Sequence, residues 1–293
     1  MKTLILCILT NTVIGFIFKM FPRYGVNTLQ AIVFNYFVCV MMATLTLGEF
    51  PIESNVYQND WFPFALFLGF IFISGFNITA YTFQNFGVTI TTIMQKMSLI
   101  LVVPIAIWMY SESVNIWKIA GLLSGVFAIY LTNRPQKEEY EKIKQLPKWM
   151  LFLPIIVLLI STCIEATLQY VQLTFLAGNG GLKFTGTLFG IAGSIGLTAV
   201  IVGLLLGKLK FSFKNILAGI VLGVPNFFSI YLILVAISEG WEGSTFFPYN
   251  NISIIILSAI IALIFFNEKL SKANLVGVLL AVAAIGLIAF GSV

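Results

Sequence analysis

The chain has 293 residues, of which 59% are hydrophobic and 9% are charged, and its mean hydropathy is +1.02. A soluble domain carries about 25% charged residues, so this composition excludes an ordinary water-soluble globule. The net charge of +5 is distributed over short connections between apolar blocks, which argues against a nucleic-acid partner and identifies the lipid bilayer as the solvent.

Windows of about nineteen residues predict ten membrane-spanning helices. Each is close to the roughly twenty residues that a helix needs to cross about 30 Å of hydrocarbon. In chain order the predicted spans are 2–20, 26–47, 61–83, 88–110, 115–132, 149–172, 184–206, 212–237, 243–266 and 272–291. The predicted fold class is therefore an all-α polytopic membrane protein.

One long polar connection divides these helices into two sets of five. Residues 134–148 form this linker, with residues 1–133 before it and residues 149–293 after it. Five is an odd number of crossings, so the second set must enter from the opposite side of the membrane. The sequence thus predicts two inverted five-helix repeats, an arrangement found in transporters.

A fixed sequence offset supports the duplication. In each half a glutamate at the end of one span precedes, by nine residues, a glycine in the next span. The offset of 156 relates three pairs of residues, namely Glu112 with Glu268, Gly121 with Gly277, and Gly87 with Gly243.

The distribution of Lys and Arg predicts the orientation. Twelve cations fall on one side of the predicted spans, namely Lys19, Arg23, Arg134, Lys137, Lys142, Lys144, Lys148, Lys208, Lys210, Lys214, Lys269 and Lys272. The other side receives Lys2, Lys118 and Lys183 together with the acidic loop 49–60. By the positive-inside rule the first side is cytoplasmic. We therefore expect a multi-pass protein of a bacterial-type plasma (inner) membrane with both termini outside.

These features resemble the drug/metabolite transporter superfamily, particularly its EamA-like bacterial members. The resemblance rests on the inverted five-plus-five organisation and on two short motifs, Glu112 with Gly121 and Gly125, and Glu268 with Gly277 and Ala281. Ser111 and Asn267 precede the glutamates, where the family commonly has glycine. The resemblance implies metabolite export by alternating access around a central cavity, and it names no cargo.

Two ionisable residues lie well inside predicted spans, where such groups are costly and usually face a cavity or a partner. Lys96 is a candidate to bind a carboxylate or phosphate of the cargo. Glu165 is a candidate to bind an ammonium group of the cargo or to carry a coupling proton or cation. The structural alternatives are that Lys96 snorkels or neutralises Glu165, and that Glu165 hydrogen-bonds a neighbouring helix.

Neutral polar residues in the spans form the rest of the predicted site. They fall in two layers that are mirror-related about the membrane midplane, which suggests a water-accessible interior. The alternative is that these asparagines make structural hydrogen bonds between helices. The further cargo-binding candidates are Gln95, Asn11, Asn35, Asn77, Tyr81, Asn226, Tyr249, Asn250 and Asn251.

These observations predict a secondary transporter or exporter of a small polar metabolite, amino-acid-like or similar. The alternative is a lipid or isoprenoid-lipid flippase on the same scaffold, with a channel or a structural membrane protein less favoured. The chain has no histidine and three widely spaced cysteines, so catalytic residues, a cofactor and a metal are not expected. No oligomeric state is predicted.

Overall fold

The computed structural model describes residues 1–132, 146–176, 180–265 and 272–291. Within these ranges it contains ten α-helices and no strand. In chain order the helices are α1 (Lys2–Met20), α2 (Thr28–Leu47), α3 (Phe62–Lys96), α4 (Leu99–Tyr110), α5 (Ile116–Thr132), α6 (Leu153–Thr174), α7 (Gly180–Leu205), α8 (Phe213–Ser238), α9 (Gly243–Phe265) and α10 (Lys272–Phe290).

Most of these helices are suited to a bilayer. In the described part of the chain, nine helical stretches are long and apolar enough to cross a membrane, and α5 is a shorter apolar helix. Large apolar side chains such as Trp108 and Leu205 are more than four-fifths exposed, an arrangement that lipid accommodates and water does not. The predicted class, an all-helical multi-pass membrane protein, is confirmed.

The third and fourth predicted spans have a different boundary. The sequence predicted a connection at residues 84–87, but α3 continues through them to Lys96 and the helix breaks at Met97–Ser98. Residues 84–87 contain a glycine and no proline, so nothing in them prevents a helix from continuing. Two candidate spans fall on this stretch, Phe62–Thr79 and Ile90–Tyr110, and the second contains the break.

Backbone contacts divide the chain into two compact units. Unit 1 comprises Met1–Asn77 and Thr167–Glu239, and unit 2 comprises Ile78–Ala166 and Gly240–Val293. Each unit therefore takes helices from both sides of the predicted linker. The division into two repeats stays a prediction. Most of the linker, and Glu268 with Asn267, lie outside the described residues.

In unit 1, α2 packs against α7 and α8, and α8 also contacts α1 and α7. One face of α7 carries four glycines, Gly186, Gly190, Gly193 and Gly196, where an added Cβ would meet α2 or the segment just after it. The α2 residues facing them, in the same order, are Ala43, Val40, Tyr36 and Val33. Because the residue numbers run in opposite directions, the two helices are antiparallel.

Unit 1 has a basic end and an acidic end. Helix α1 ends, and α2 and α8 begin, at the basic end, where Lys214 Nζ donates to the Tyr24 carbonyl oxygen at 3.2 Å. At the opposite end Thr3 Oγ1 donates to Glu239 Oε1 at 2.6 Å, and Lys183 pairs with Glu53. The first residues of the chain therefore lie at the acidic end.

In unit 2, α9 packs against α4, α5 and α10, and α5 packs closely against α10. A Cβ added at Gly121 of α5 would stand 2.6 Å from the Ile288 side chain, and one at Gly277 of α10 would stand 2.5 Å from the Thr132 backbone nitrogen. The two helices are therefore antiparallel. The surrounding core consists of Ala128, Ile252, Ala281, Ala284 and Ile288.

Candidate functional site

A chain of hydrogen bonds in unit 2 joins a cation to a carboxylate. Lys96 Nζ donates to Asn251 Oδ1 at 3.1 Å, and Asn251 Nδ2 donates to Glu165 Oε1 at 3.0 Å. Ser98 Oγ donates to the other carboxylate oxygen, Glu165 Oε2, at 2.8 Å. Asn251 and Ser98 are buried, whereas Lys96 and Glu165 each keep part of their surface exposed. We name these four residues the polar chain.

The helix break places two members of the polar chain. Lys96 is the last residue of α3, and Ser98 lies in the two-residue break before α4. The Ser98 carbonyl oxygen accepts from both Leu101 N and Val102 N at 2.9 Å, so α4 starts immediately. The break thus presents an ammonium and a hydroxyl to α6 and α9 within three residues.

Asn251 is suited to its central place because its amide has both an acceptor and a donor. The oxygen faces the ammonium of Lys96 and the NH₂ group faces the carboxylate of Glu165. An aspartate could not donate to Glu165, and a leucine could do neither. The charges at the two ends thus determine which way the amide points.

An apolar cluster lies beside the break. It consists of Ile93, Leu99, Ile129 and Ile255, with Met97 packed against it. In such surroundings a single charge is expensive to hold, and an opposite charge linked by hydrogen bonds offsets much of that cost. Lys96 and Glu165 therefore stabilise each other through Asn251.

Lys96, Glu165 and Asn251 are the predicted site residues that the structure joins in one network. The other predicted residues of unit 2 lie on the same helices. Gln95 precedes Lys96 on α3 and is half-buried, and the Asn250 side-chain oxygen is buried on α9 without a hydrogen-bond partner. Tyr249 packs edge-on against Trp241, with ring centroids 6.1 Å apart.

The predicted residues of unit 1 lie outside the polar chain, as does Tyr81, which is exposed on α3 in unit 2. Asn35 and Asn226 are buried together, with Asn226 Nδ2 donating to Asn35 Oδ1 at 3.1 Å. Asn11 and Asn77 instead donate to backbone oxygens one turn earlier in their own helices. These contacts match the structural alternative for the asparagines. Cargo binding at any of them stays a prediction.

Sequence reasoning did not select Ser98. Serines are common in membrane helices, so a serine alone does not indicate a functional site. The available signal was its position two residues after Lys96, since a hydroxyl beside an intramembrane cation favours a polar cluster. Its partner, Glu165, is 67 positions away along the chain, which only the fold could reveal.

Glu112, one of the residues on which the sequence resemblance rests, caps the start of α9. Its Oε1 accepts from Gly243 N at 2.9 Å and its Oε2 from Ser244 N at 2.7 Å. A carboxylate there satisfies two unpaired backbone donors and meets the positive end of the helix dipole. Ser111, in the left-handed conformation with φ of 52°, ends α4 just before it.

Lys118 and Glu242 form an ion pair close to this cap. Lys118 Nζ donates to Glu242 Oε2 at 2.6 Å and to the Ser113 carbonyl oxygen at 2.8 Å, and Lys118 is buried. Burial raises the pKa of Glu242, but hydrogen bonds from Lys118 and Ser113 outweigh burial, and this pKa lies below the ordinary carboxyl value. Sequence analysis placed Lys118 near the start of the predicted span 115–132, on the side with few cations, and missed this pair.

Metal ligands do not gather in the described residues, which contain no group of three or more His, Cys, Asp or Glu side chains able to hold an ion. The three cysteines, Cys7, Cys39 and Cys163, carry free thiols.

Comparisons with known proteins give one relative by sequence and one solved structure of similar fold. The chain is 25% identical over 293 residues to an uncharacterized protein of Haemophilus influenzae strain Rd, covering 97% of this chain and 96% of that protein. A protein of known crystal structure superimposes with a TM-score of 0.69 at 14% identity, over 98% of this chain and 94% of the other. No family model matches the sequence. The structural likeness over nearly the whole length shows a shared fold.

Proposed function

We propose that this protein is a secondary transporter that exports a small polar metabolite by alternating access, and that the cargo contacts the polar chain. The observation that carries the proposal is the pairing of Lys96 with Glu165 through Asn251. On insertion scales each intramembrane charge costs about 2.5–3.5 kcal/mol. A purely structural contact between helices is made at lower cost by apolar side chains.

The chemistry of the polar chain favours a cargo with both charges. A cargo carboxylate can accept from Lys96, and a cargo ammonium can donate to Glu165, replacing the two hydrogen bonds of the Asn251 amide. Both charged residues retain some exposed surface, so the polar chain is not sealed inside the protein. An amino-acid-like metabolite fits this pattern.

We also propose that the chain consists of two inverted repeats, and the packing of α5 against α10 supports this. Gly121 lies against Ile288, and Gly277 lies against Thr132. With the offset of 156, Gly121 corresponds to Gly277 and Thr132 corresponds to Ile288. The two contacts are therefore equivalent under the repeat. An axis in the membrane plane relates equivalent helices in an antiparallel manner, which agrees with the direction of this pair.

A second pair of contacts in unit 1 repeats the relationship. Gly69 of α3 lies against the Ile191 side chain and the Leu188 carbonyl oxygen of α7. Gly223 of α8 lies in the same way against the Val38 side chain and the Asn35 carbonyl oxygen of α2. Corresponding residues are 153 or 154 positions apart. Two sets of equivalent glycine contacts favour a duplicated scaffold.

The same observations support membership of the drug/metabolite transporter superfamily, particularly of its EamA-like group. Gly121, Gly125 and Gly277 make close helix contacts, and Ala281 belongs to the buried core of unit 2. The basic end of unit 1 fits the cytoplasmic side, and the start of α1 at the other end fits an external N-terminus. We place the protein in a bacterial-type inner membrane on this basis.

A ligand screen with matched variants tests the proposal. Full-length protein in detergent is heated with amino acids, sugar phosphates, nucleotides, cationic drugs or polyprenyl phosphates, and the ligand-induced shift in Tm is measured. The variants are Lys96→Ala and Glu165→Gln, and the controls are Lys183→Ala and Asp60→Asn, which remove charges at the acidic end of unit 1. The active ligand is then used in counterflow with proteoliposomes.

We expect a polar ligand to stabilise the wild type and both controls, and to be transported by them, while neither site variant responds. A shift only with polyprenyl phosphates would favour the flippase alternative. A polar ligand that stabilises all four variants equally would place the cargo site elsewhere.

A further inference from the structure

The basic end of unit 1 gathers four exposed cations from two separate connections. Arg23 lies between α1 and α2, whereas Lys208 and Lys210 lie between α7 and α8 and Lys214 lies in the first turn of α8. We name these four residues the basic patch. The segments that carry it, residues 21–27 and 206–214, contain no acidic residue.

Buried hydrogen bonds hold the two connections together beneath the basic patch. Asn215 Oδ1 accepts from Asn27 N at 2.9 Å, and Asn215 Nδ2 donates to Gln30 Oε1 at 2.7 Å. Gln30 Nε2 in turn donates to the Lys210 carbonyl oxygen at 2.9 Å. Gln30 and Asn215 are almost completely buried. These bonds hold the backbone of the two connections that carry the cations close together.

Exposed aromatic side chains accompany the cations. Tyr24, Phe211 and Phe213 are each more than half exposed, and they lie next to candidate spans that end at Tyr24 and Leu205 and begin again at Phe213. Tyrosine rings such as that of Tyr24 are enriched at the level of lipid headgroups, and the spans end or begin at the same level. The basic patch therefore lies at the height where lipid phosphates occur.

We propose that the basic patch binds the headgroup of an anionic phospholipid. Topology alone would require only a sufficient number of positive charges on this side. Here, in addition, buried side chains join the two connections that carry the basic patch, and aromatic rings lie beside the cations. The start of α8 adds backbone N–H groups, since Ser212 makes no side-chain cap to it, and a helix start attracts phosphate. A lipid bound here links α1, α2, α7 and α8 at one end of unit 1.

Lipid-dependent stability tests this assignment. Full-length protein in mixed micelles is titrated with phosphatidylglycerol, phosphatidylcholine or inorganic phosphate, and the shift in Tm is measured. The test variant is Lys208→Gln with Lys210→Gln, which leaves Lys214 and the buried side chains in place. The control is Lys183→Gln, a cation at the opposite end of the same unit.

Phosphatidylglycerol is expected to stabilise the wild type and the control more than phosphatidylcholine does. Its apparent affinity for the test variant should fall about fivefold for each cation removed, and added salt should reduce the difference. Equal binding to the test variant and the control would overturn the proposal. An equal shift with inorganic phosphate would also overturn it, because the ligand would then be a free anion and not a lipid.

Discussion

Gly277 of α10 lies so close to Thr132 of α5 that a Cβ on the glycine would stand 2.5 Å from the threonine backbone nitrogen. A backbone atom cannot move aside as the end of a flexible side chain can. The contact therefore requires glycine for packing, independently of any conformational freedom.

The first prediction is that Gly277→Ala destabilises the protein by about 1–3 kcal/mol, the usual cost of overpacking. The control is Gly286→Ala on the same helix, where an added Cβ meets nothing within 4 Å. Thermal unfolding in detergent measures both. A Tm for Gly277→Ala equal to that of the control would show that α5 and α10 do not approach each other this closely.

The second prediction concerns Asn251. Asn251→Ala removes an acceptor from Lys96 and a donor from Glu165, so we expect a loss of about 1–3 kcal/mol and of the ligand response. Asn77→Ala is the matched control for stability, because the Asn77 amide donates to the Ile73 carbonyl oxygen of its own helix. Equal effects of the two substitutions on Tm would contradict the bridging role.

The third prediction separates stability from transport. Lys96→Met and Glu165→Gln should each lower Tm, because each leaves one charged or polar partner uncompensated. The double variant should be more stable than the sum of the two losses implies, by about 0.5–3 kcal/mol, yet remain inactive in counterflow. Additive losses in Tm would mean that the two residues act independently.

The fourth prediction uses the acidity of Glu242, whose pKa is lowered in the folded protein. A lowered carboxyl pKa means that the folded state binds the proton less readily than the unfolded state does. The contribution of Glu242 to stability is thus present above the ordinary pKa of 4.5 and disappears as the pH falls through the lower, folded value.

The corresponding measurement is the difference in Tm between wild type and Glu242→Gln across acidic pH. The difference should be largest near neutral pH and should shrink below about pH 4.5. Asp60→Asn, which removes an exposed carboxylate, serves as the control. If the difference in Tm instead grew as the pH falls, the pKa of Glu242 would be raised in the folded protein and the assigned direction would be wrong.

Span length and hydropathy were sufficient to predict most of the helices. Helix α1 begins and ends where the sequence predicted, because Pro22 and Gly25 follow a mostly apolar block and favour an end to the helix. The break at Met97–Ser98 could not be predicted, since both residues are compatible with a helix and Ser98 finds its partner only through folding. The sequence predicted a connection at residues 84–87, but α3 continues through these residues.

The candidate site was predictable in part for a similar reason. Lys96 and Glu165 were selected because charges inside apolar spans are unusual. Their connection through Asn251 could not be inferred, because several asparagines met the same criterion of depth. The same criterion included Asn11 and Asn77, whose amides bond within their own helices. Depth alone does not specify which way a side chain faces.

The glycine face of α7 limits how the length of this helix can change during evolution. Gly186, Gly190, Gly193 and Gly196 face α2 only while they keep a spacing of three or four residues. Inserting one residue after Gly190 would rotate the later glycines by about 100° and turn larger side chains toward α2. Insertions and deletions should therefore be rarer within α7 than substitutions on its outer face.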